Sequence, residues 1–155
     1  MAKVGNGFQV GLSWIPMSGR EIPCGAIEVD DGIFVARGEL DGEKIPGKYV
    51  ARYQTCYVPY GGKEHELQEC EILCDTSVGC DGSCYKWVRD SDGDVPKHAI
   101  VAGVANDGQP LFVCKAPVEG ELCVGKVHKG HSSAYIPYGG EEHSVENYEV
   151  LVLRK

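Results

Sequence analysis

The sequence predicts an all-β fold in which two copies of one unit share a single core with approximate two-fold symmetry. The 155-residue chain contains 21 glycines and 8 prolines, so turn-forming residues are frequent. No segment has a convincing 3.6-residue apolar period, which would indicate an amphipathic helix. The string YVPYGGKEHELQECEIL at 57–73 is nearly repeated as YIPYGGEEHSVENYEVL at 135–151. Each copy alone is too short to bury a core of its own, so we expect the copies to be intertwined.

The two copies align along most of the chain. Trp14 and Trp87 begin them, at an offset of 73 residues. From 32–37 and 110–115 onwards the offset is 78, so the second copy is five residues longer. The additional residues fall in VAGVANDGQP (101–110), whose composition is typical of a loop. The expected organisation is a first repeat at 14–73, a cysteine-rich linker at 74–86 and a second repeat at 87–153.

Each copy contains a series of short strands. In the first copy, AIEV (26–29) and IFVARGEL (33–40) are separated by the turn pair Asp31-Gly32. The segments GKYVARYQ (47–54) and TCYVPY (55–60) follow, and ECEIL (69–73) ends the copy with apolar alternation of period two. Tyr148, Val150 and Leu151 repeat this ending in the second copy.

Charge and hydropathy exclude several classes of function. The formal net charge is -8 and the sequence pI is about 5.1, so the surface repels nucleic acid and anionic membranes. No apolar run approaches the roughly 20 residues needed to cross a bilayer. The first residues do not have the pattern of a signal peptide, so a cytoplasmic location is expected. Eight cysteines are many for a cytosolic chain, which leaves unconventional secretion open.

The order of these motifs resembles the DM-nine repeat family. The resemblance extends from about Trp14 to Leu153 and includes Tyr-Ile-Pro-Tyr-Gly-Gly-x-Glu-His and Tyr-Glu-Val-Leu. It implies a carbohydrate-binding lectin of innate-immune pattern recognition, often a homodimer, with mannose or mannose-containing glycans of microbial surface polysaccharide as ligands. Some members carry the repeat beside a pore-forming domain. The alternative is therefore a protein-interaction or membrane-lesion module without sugar binding.

Two lysines are the candidate sugar ligands. Lys48 and Lys126 each follow a glycine that we expect to lie in a turn. An acid precedes each lysine by five residues. An ammonium donates hydrogen bonds to sugar hydroxyls and a carboxylate accepts them. The resemblance implies that these lysines act with an acid in the loop after Ala-Gly. That acid would fall on Ala105, so a neighbouring residue must replace it. The expected site residues are Asp31, Glu43, Lys48, Asn106, Asp107, Glu121 and Lys126. The alternative is that both lysines are ordinary solvated surface residues.

The chain contains no nucleophile–base pair or phosphate-binding loop, so we expect neither an enzyme nor a cofactor. Cys70, Cys74, Cys80 and Cys84 have the spacing C-x3-C-x5-C-x3-C, and free thiols or disulfides are preferred to a zinc site. The other four cysteines are expected to be small buried apolar residues. In each copy the Glu-His pair after Gly-Gly is expected to be hydrogen-bonded and to fix that turn.

Overall fold

The computed structural model describes residues 11–17, 21–76 and 84–154. All the regular structure in these residues is β, which confirms the predicted fold class. The strands are β1 (Leu12–Pro16), β2 (Glu28–Asp30), β3 (Ile33–Leu40), β4 (Glu43–Val50), β5 (Thr55–Tyr60), β6 (Lys63–Leu67), β7 (Glu71–Asp75), β8 (Tyr85–Ser91), β9 (Val101–Val104), β10 (Pro110–Val118), β11 (Glu121–His128), β12 (Ala134–Tyr138), β13 (Glu141–Val145) and β14 (Asn147–Leu153).

The strand order has the same sequence of elements when read from either end. It runs β1-β7-β3-β4-β5-β6-β13-β12-β11-β10-β14-β8, with β2 paired to β3 and β9 paired to β10. Each strand of the first copy therefore has its equivalent at the mirrored place, and all pairings are antiparallel. The pseudo-two-fold axis passes between β6 and β13, where Lys63 is paired with Glu141.

Tight turns with left-handed backbone close the hairpins. In the β3–β4 and β10–β11 hairpins, Asp41-Gly42 and Glu119-Gly120 have φ values of 52° and 83°, and 53° and 82°. The Gly-Gly pairs 61–62 and 139–140 behave in the same way, with φ between 61° and 86°. Two consecutive residues with positive φ form the turn whose twist matches a β-hairpin. This explains why the YGG motif occurs in both copies.

The core consists of three apolar clusters: one mainly from the first copy, to which Ala105 and Leu111 of the second copy also contribute, one from the second copy, and a third that both copies build. The shared cluster consists of Ile27, Val35, Leu73, Ala102, Val113, Val124 and Leu151. Trp14 and Trp87 pack against its edge, as expected, and each also carries a cation above its ring. The first three residues of the shared cluster come from the first copy and the other four from the second. Burial therefore joins the copies into one folded unit.

The separate clusters accommodate one large side chain in different ways. In the first copy, Tyr49 and Cys70 pack together; the equivalent positions in the second copy are Val127 and Tyr148. Each pair thus combines one tyrosine with one smaller residue, but the tyrosine occupies the first position of the pair in one copy and the second position in the other. Similar packing volume is preserved in both copies although the sequences differ.

The structure corrects three local expectations. The glycine before Lys48 was expected to lie in a turn, but β4 begins at Glu43 and runs through Pro46 and Gly47. The expected loop at 101–110 contains strand β9, and only 105–109 form a turn before β10. Cys24 is exposed in a turn rather than buried in a strand.

Candidate functional site

The two lysines singled out by the sequence are almost completely buried within strands. Lys48 lies in β4 and is 4% exposed, and Lys126 lies in β11 and is 5% exposed. Neither is a solvated residue after a turn. A buried ammonium is costly unless neighbouring groups compensate its charge, so the surroundings of each lysine carry the information about function.

The glycine before each lysine permits close contact with the neighbouring strand. A Cβ atom at Gly47 would overlap the carbonyl oxygen of Tyr57 on β5, and one at Gly125 would overlap that of Tyr135 on β12. Lys48 is paired with Tyr57, and Lys126 with Tyr135, in the same ladders. The Gly-Lys pair therefore brings the lysine against a tyrosine-bearing strand.

The first site is centred on Lys48. Its Nζ atom lies 3.7 Å from Oε2 of Glu64 and 3.5 Å from Sγ of Cys123. The same atom lies 5.1 Å from the ring centre of Tyr138 and 5.8 Å from that of Tyr57. Cys123 and Tyr138 belong to the second copy, so the first site uses both copies. It opens as a cleft of about 290 Å³ that Glu121 also lines.

The second site repeats this arrangement around Lys126. Its Nζ atom lies 3.5 Å from Oε2 of Glu142, 5.4 Å from the ring centre of Tyr60 and 5.8 Å from that of Tyr135. Burial lowers the pKa of Lys126, and the carboxylates of Glu142 and Glu43 act in the opposite direction. Its donors therefore lie in a partly desolvated place, where a hydrogen bond to a ligand is strong.

The acids that precede the lysines serve the other copy. Glu121 lines the cleft of Lys48, and the Glu43 carboxylate acts on Lys126. Glu43 and Lys48 are five residues apart on one strand, and an odd separation puts side chains on opposite faces. The same holds for Glu121 and Lys126. The side chains of a lysine and the acid five residues before it therefore point to opposite faces of the strand. Each lysine is accompanied instead by the acid from the other copy.

The Glu-His pairs hold two different turns. The Nε2 atom of His65 lies 3.0 Å from the carbonyl oxygen of Tyr60 in its own copy. The Nε2 atom of His143 lies at the same distance from the carbonyl oxygen of Tyr138. The glutamates reach across the symmetry axis, where Oε1 of Glu64 accepts a 2.8 Å hydrogen bond from the Gly140 backbone N–H. Oε1 of Glu142 likewise accepts one of 2.9 Å from Gly62. The expected hydrogen-bonded pair is thus corrected: the histidine fixes its own turn, and the glutamate joins the copies.

The rims of the two sites differ. The first site is bordered by Arg52 and Tyr53, and the Arg52 guanidinium lies 3.8 Å from Oε2 of Glu121. In the second copy, the residues equivalent to Val50 and Tyr53 are His128 and His131. Sequence reasoning missed the rim residues Arg52, Tyr53, His128 and His131, and the only signal for the histidines was their position at or just beyond the end of a strand that occurs in both copies.

The duplicated arrangement is matched by a known family model. The model for the DM9 repeat matches residues 29–145. The chain belongs to the DM9 repeat family.

This DM9 chain is similar to three natterins of Thalassophryne nattereri. It is 31% identical to Natterin-3 in an alignment of 160 positions that covers 94% of this chain and 37% of the relative. Natterin-4 is 26% identical and Natterin-1 is 24% identical, and the match covers 33% and 39% of their lengths. The chain thus spans between 33% and 39% of the length of these curated relatives.

A solved structure shows the same fold. The nematode sperm cell motility protein MFP2B matches 93% of this chain and 45% of its own, with a TM-score of 0.61 and 16% identity. Among residues 11–17, 21–76 and 84–154, which the structure describes, no helix is long and apolar enough to cross a membrane.

The remaining predicted site residues lie around these clefts in different ways. The backbone N–H of Asn106 donates a 2.8 Å hydrogen bond to Oε2 of Glu43, so the longer loop of the second copy touches the second site. The Asp107 carboxylate faces His128 instead of a lysine. Asp31 is exposed, and its backbone N–H bonds to the Asp30 carboxylate. Asp30 also accepts a 3.3 Å hydrogen bond from the backbone of Leu122 in the other copy.

The cysteines of the described part of the chain lie mostly inside the fold. Cys56, Cys74, Cys114 and Cys123 are buried free thiols. Cys70 is hydrogen-bonded to Cys56, and Cys84 lies 3.5 Å from Oδ1 of Asp75. Cys80, the remaining member of the alternative zinc set, lies outside the described residues.

Proposed function

We propose that this DM9 protein is a non-enzymatic lectin that binds mannose-type sugars at the two lysine sites. The observation that carries the proposal is the double occurrence of one arrangement: an almost buried lysine, carboxylates and two tyrosine rings. Hexose hydroxyls need donors and acceptors within one small cleft, and the apolar C–H face of the ring packs on aromatic side chains.

Each group at the first site has a role in this proposal. The Lys48 ammonium donates to one or two adjacent hydroxyls, while Glu64 and Glu121 accept from hydroxyls. Tyr138 offers a ring face at the edge of the cleft. At the second site the corresponding groups are Lys126 and, as its carboxylates, Glu142 and Glu43.

Two sites in one chain allow binding to repetitive surfaces. A single shallow sugar site gives weak affinity, but two linked sites can exceed either affinity by a factor of about 10²–10⁴ on a multivalent glycan. Mannose-containing polysaccharide of microbial surfaces is the proposed physiological ligand, and pattern recognition in innate immunity is the proposed role. Assembly as a homodimer would multiply the number of sites again.

A protein-interaction or membrane-lesion role is the second candidate. It is favoured by the match to natterins, in which the similar segment is only part of a longer chain. In that arrangement this unit would act as a recognition module for another domain.

Calorimetric titration with mannose tests the proposal. Wild type should release heat that saturates, and Lys48→Met and Lys126→Met should each remove part of the binding. Methionine retains the apolar stem and removes the charged donor, so packing is largely preserved. The double variant should show no binding. Lys44→Met is the matched control, because that lysine is on the same strand as Lys48 and its side chain is 47% exposed.

Circular dichroism and thermal melting would establish that each variant folds. If wild type shows no heat with mannose, glucose or galactose, the lectin proposal is wrong. Binding that persists in the folded double variant would place the sugar elsewhere and reject these two sites.

A further inference from the structure

Three metal-binding side chains meet at the rim of the second site. Atoms of Asp107, His128 and His131 that can act as ligands all lie within 4.8 Å of one another. The Nε2 atom of His128 lies 2.9 Å from Oδ2 and 3.1 Å from Oδ1 of Asp107. The rings of His128 and His131 are stacked with centres 4.0 Å apart and an angle of 13° between their planes.

The spacing is close to what a tetrahedral metal centre needs. Zinc binds histidine nitrogen and carboxylate oxygen at about 2.0–2.2 Å, which puts tetrahedral ligand atoms roughly 3.4 Å apart. The two contacts between His128 and Asp107 are slightly shorter than this separation. A metal ion would take the place of this hydrogen bond, and the exposed His131 ring would turn out of its stack on His128 so that one of its nitrogens points at the ion.

Neighbouring groups hold two of the three side chains in place. Oδ1 of Asp107 accepts a 3.0 Å hydrogen bond from the Gln109 backbone N–H, which fixes the carboxylate. The side chain of His128, the last residue of β11, is 13% exposed. The Nδ1 atom of His131 lies 2.8 Å from the Tyr135 hydroxyl, so one of its two ring nitrogens has a polar partner. His131 is exposed, so its ring is the one that can turn towards a metal ion.

The cluster exists only in the second copy. The residues equivalent to His128 and His131 in the first copy are Val50 and Tyr53, which offer no strong metal ligand. Asp107 lies within the longer loop that distinguishes the second copy. Three ligands thus coincide at a place where the duplicated framework requires none of them.

We propose that Asp107, His128 and His131 bind one divalent transition-metal ion of the zinc class, with at least one coordination position open to solvent. Two imidazoles and one carboxylate suit zinc, cobalt(II), nickel and copper(II) rather than calcium or magnesium. The metal would lie beside the second cleft, because His131 contacts the Tyr135 hydroxyl at 2.8 Å and the Lys126 ammonium lies 5.8 Å from the centre of the same tyrosine ring. An open position there could accept an oxygen of a bound ligand. The metal site itself does not depend on sugar binding.

Cobalt(II) titration followed by histidine NMR is the direct experiment. The chain has five histidines, and His65 and His98 serve as internal controls. One equivalent of cobalt should strongly shift or broaden the ring signals of His128 and His131 and leave those of His65 and His98 nearly unchanged. Calorimetry with Zn²⁺ should give a stoichiometry of one.

Matched variants separate this site from other ligands. His131→Gln and Asp107→Asn should each weaken binding at least tenfold, whereas His98→Gln, an exposed histidine elsewhere, should have no effect. His131 and Asp107 are exposed, so both variants are expected to fold, and thermal melting would verify this. Saturable binding that is unchanged in both variants would assign the metal to other groups, such as the exposed Cys24 thiol, and overturn the proposal. Absence of saturable binding in wild type would overturn it as well.

Discussion

Replacing Glu64 by alanine tests the exchange of contacts between the two copies. The carboxylate accepts the Gly140 N–H at 2.8 Å and lies 3.7 Å from the Lys48 ammonium. The Lys48 and Glu64 side chains are only 5% and 11% exposed. Alanine would leave a buried ammonium without its nearest carboxylate and would remove a hydrogen bond across the symmetry axis.

The expected loss is large for a single residue. Removal of one partner from a buried ion pair costs about 3–5 kcal/mol. In a domain of this size, 1 kcal/mol changes the melting temperature by about 2–4 °C, so Glu64→Ala should melt roughly 6–20 °C lower. Urea unfolding at pH 7 would measure the loss in the free energy of unfolding. Glu64→Gln should lose less, because its amide oxygen can still accept the Gly140 hydrogen bond.

Two further variants complete the test. The double variant Lys48→Met and Glu64→Ala should recover much of the loss, because it leaves no unpaired charge behind. Glu66→Ala changes an exposed acid on the same strand and should cost less than about 0.5 kcal/mol. The reasoning would be refuted if Glu64→Ala cost no more than Glu66→Ala, or if the double variant were as unstable as Glu64→Ala alone.

Two more predictions concern the apolar clusters and alkaline stability. Tyr49→Val should lower the free energy of unfolding in urea by about 2–4 kcal/mol. Adding Cys70→Tyr should restore part of this loss, because the second copy packs Val127 with Tyr148. If the double variant recovers no stability, this account of the packing is wrong. Burial raises the pKa of Tyr148 from 10.0 to about 12, so the folded state retains a proton that the unfolded state releases. The resulting stabilisation is complete below pH 10 and is lost as pH rises towards 12, with a slope of up to about 1.4 kcal/mol per pH unit. Tyr148→Phe should reduce that slope, whereas the exposed control Tyr53→Phe should not.

The sequence was sufficient to predict the duplicated β architecture. The repeated YGG turns have local causes, since two residues with positive φ require glycine or a few polar residues. The offset of the two tryptophans placed both copies in register. An internal repeat also predicts symmetry without knowledge of any contact.

The sites were harder to predict because they depend on which segments are strands. Pro46-Gly47 has the chemistry of a turn, but β4 continues through it, and the glycine serves the close approach of β5. Once Glu43 and Lys48 lie on one strand, their odd spacing separates them. The second-copy histidines occur near a loop from elsewhere in the sequence, and only the folded chain shows that Asp107 reaches them. Long-range proximity of this kind leaves no periodic signal.

The exchange of groups between the copies makes each repeat an incomplete half-site. Lys48 faces Tyr138, and Lys126 faces Tyr60, so neither half of the gene encodes a finished cleft. A mutation in one half therefore alters the surroundings of the lysine in the other half, and the halves must evolve together. The residues at the rims differ between the two copies, with Arg52 and Tyr53 at one cleft and His128 and His131 at the other. One chain thus presents a common lysine centre with two different borders.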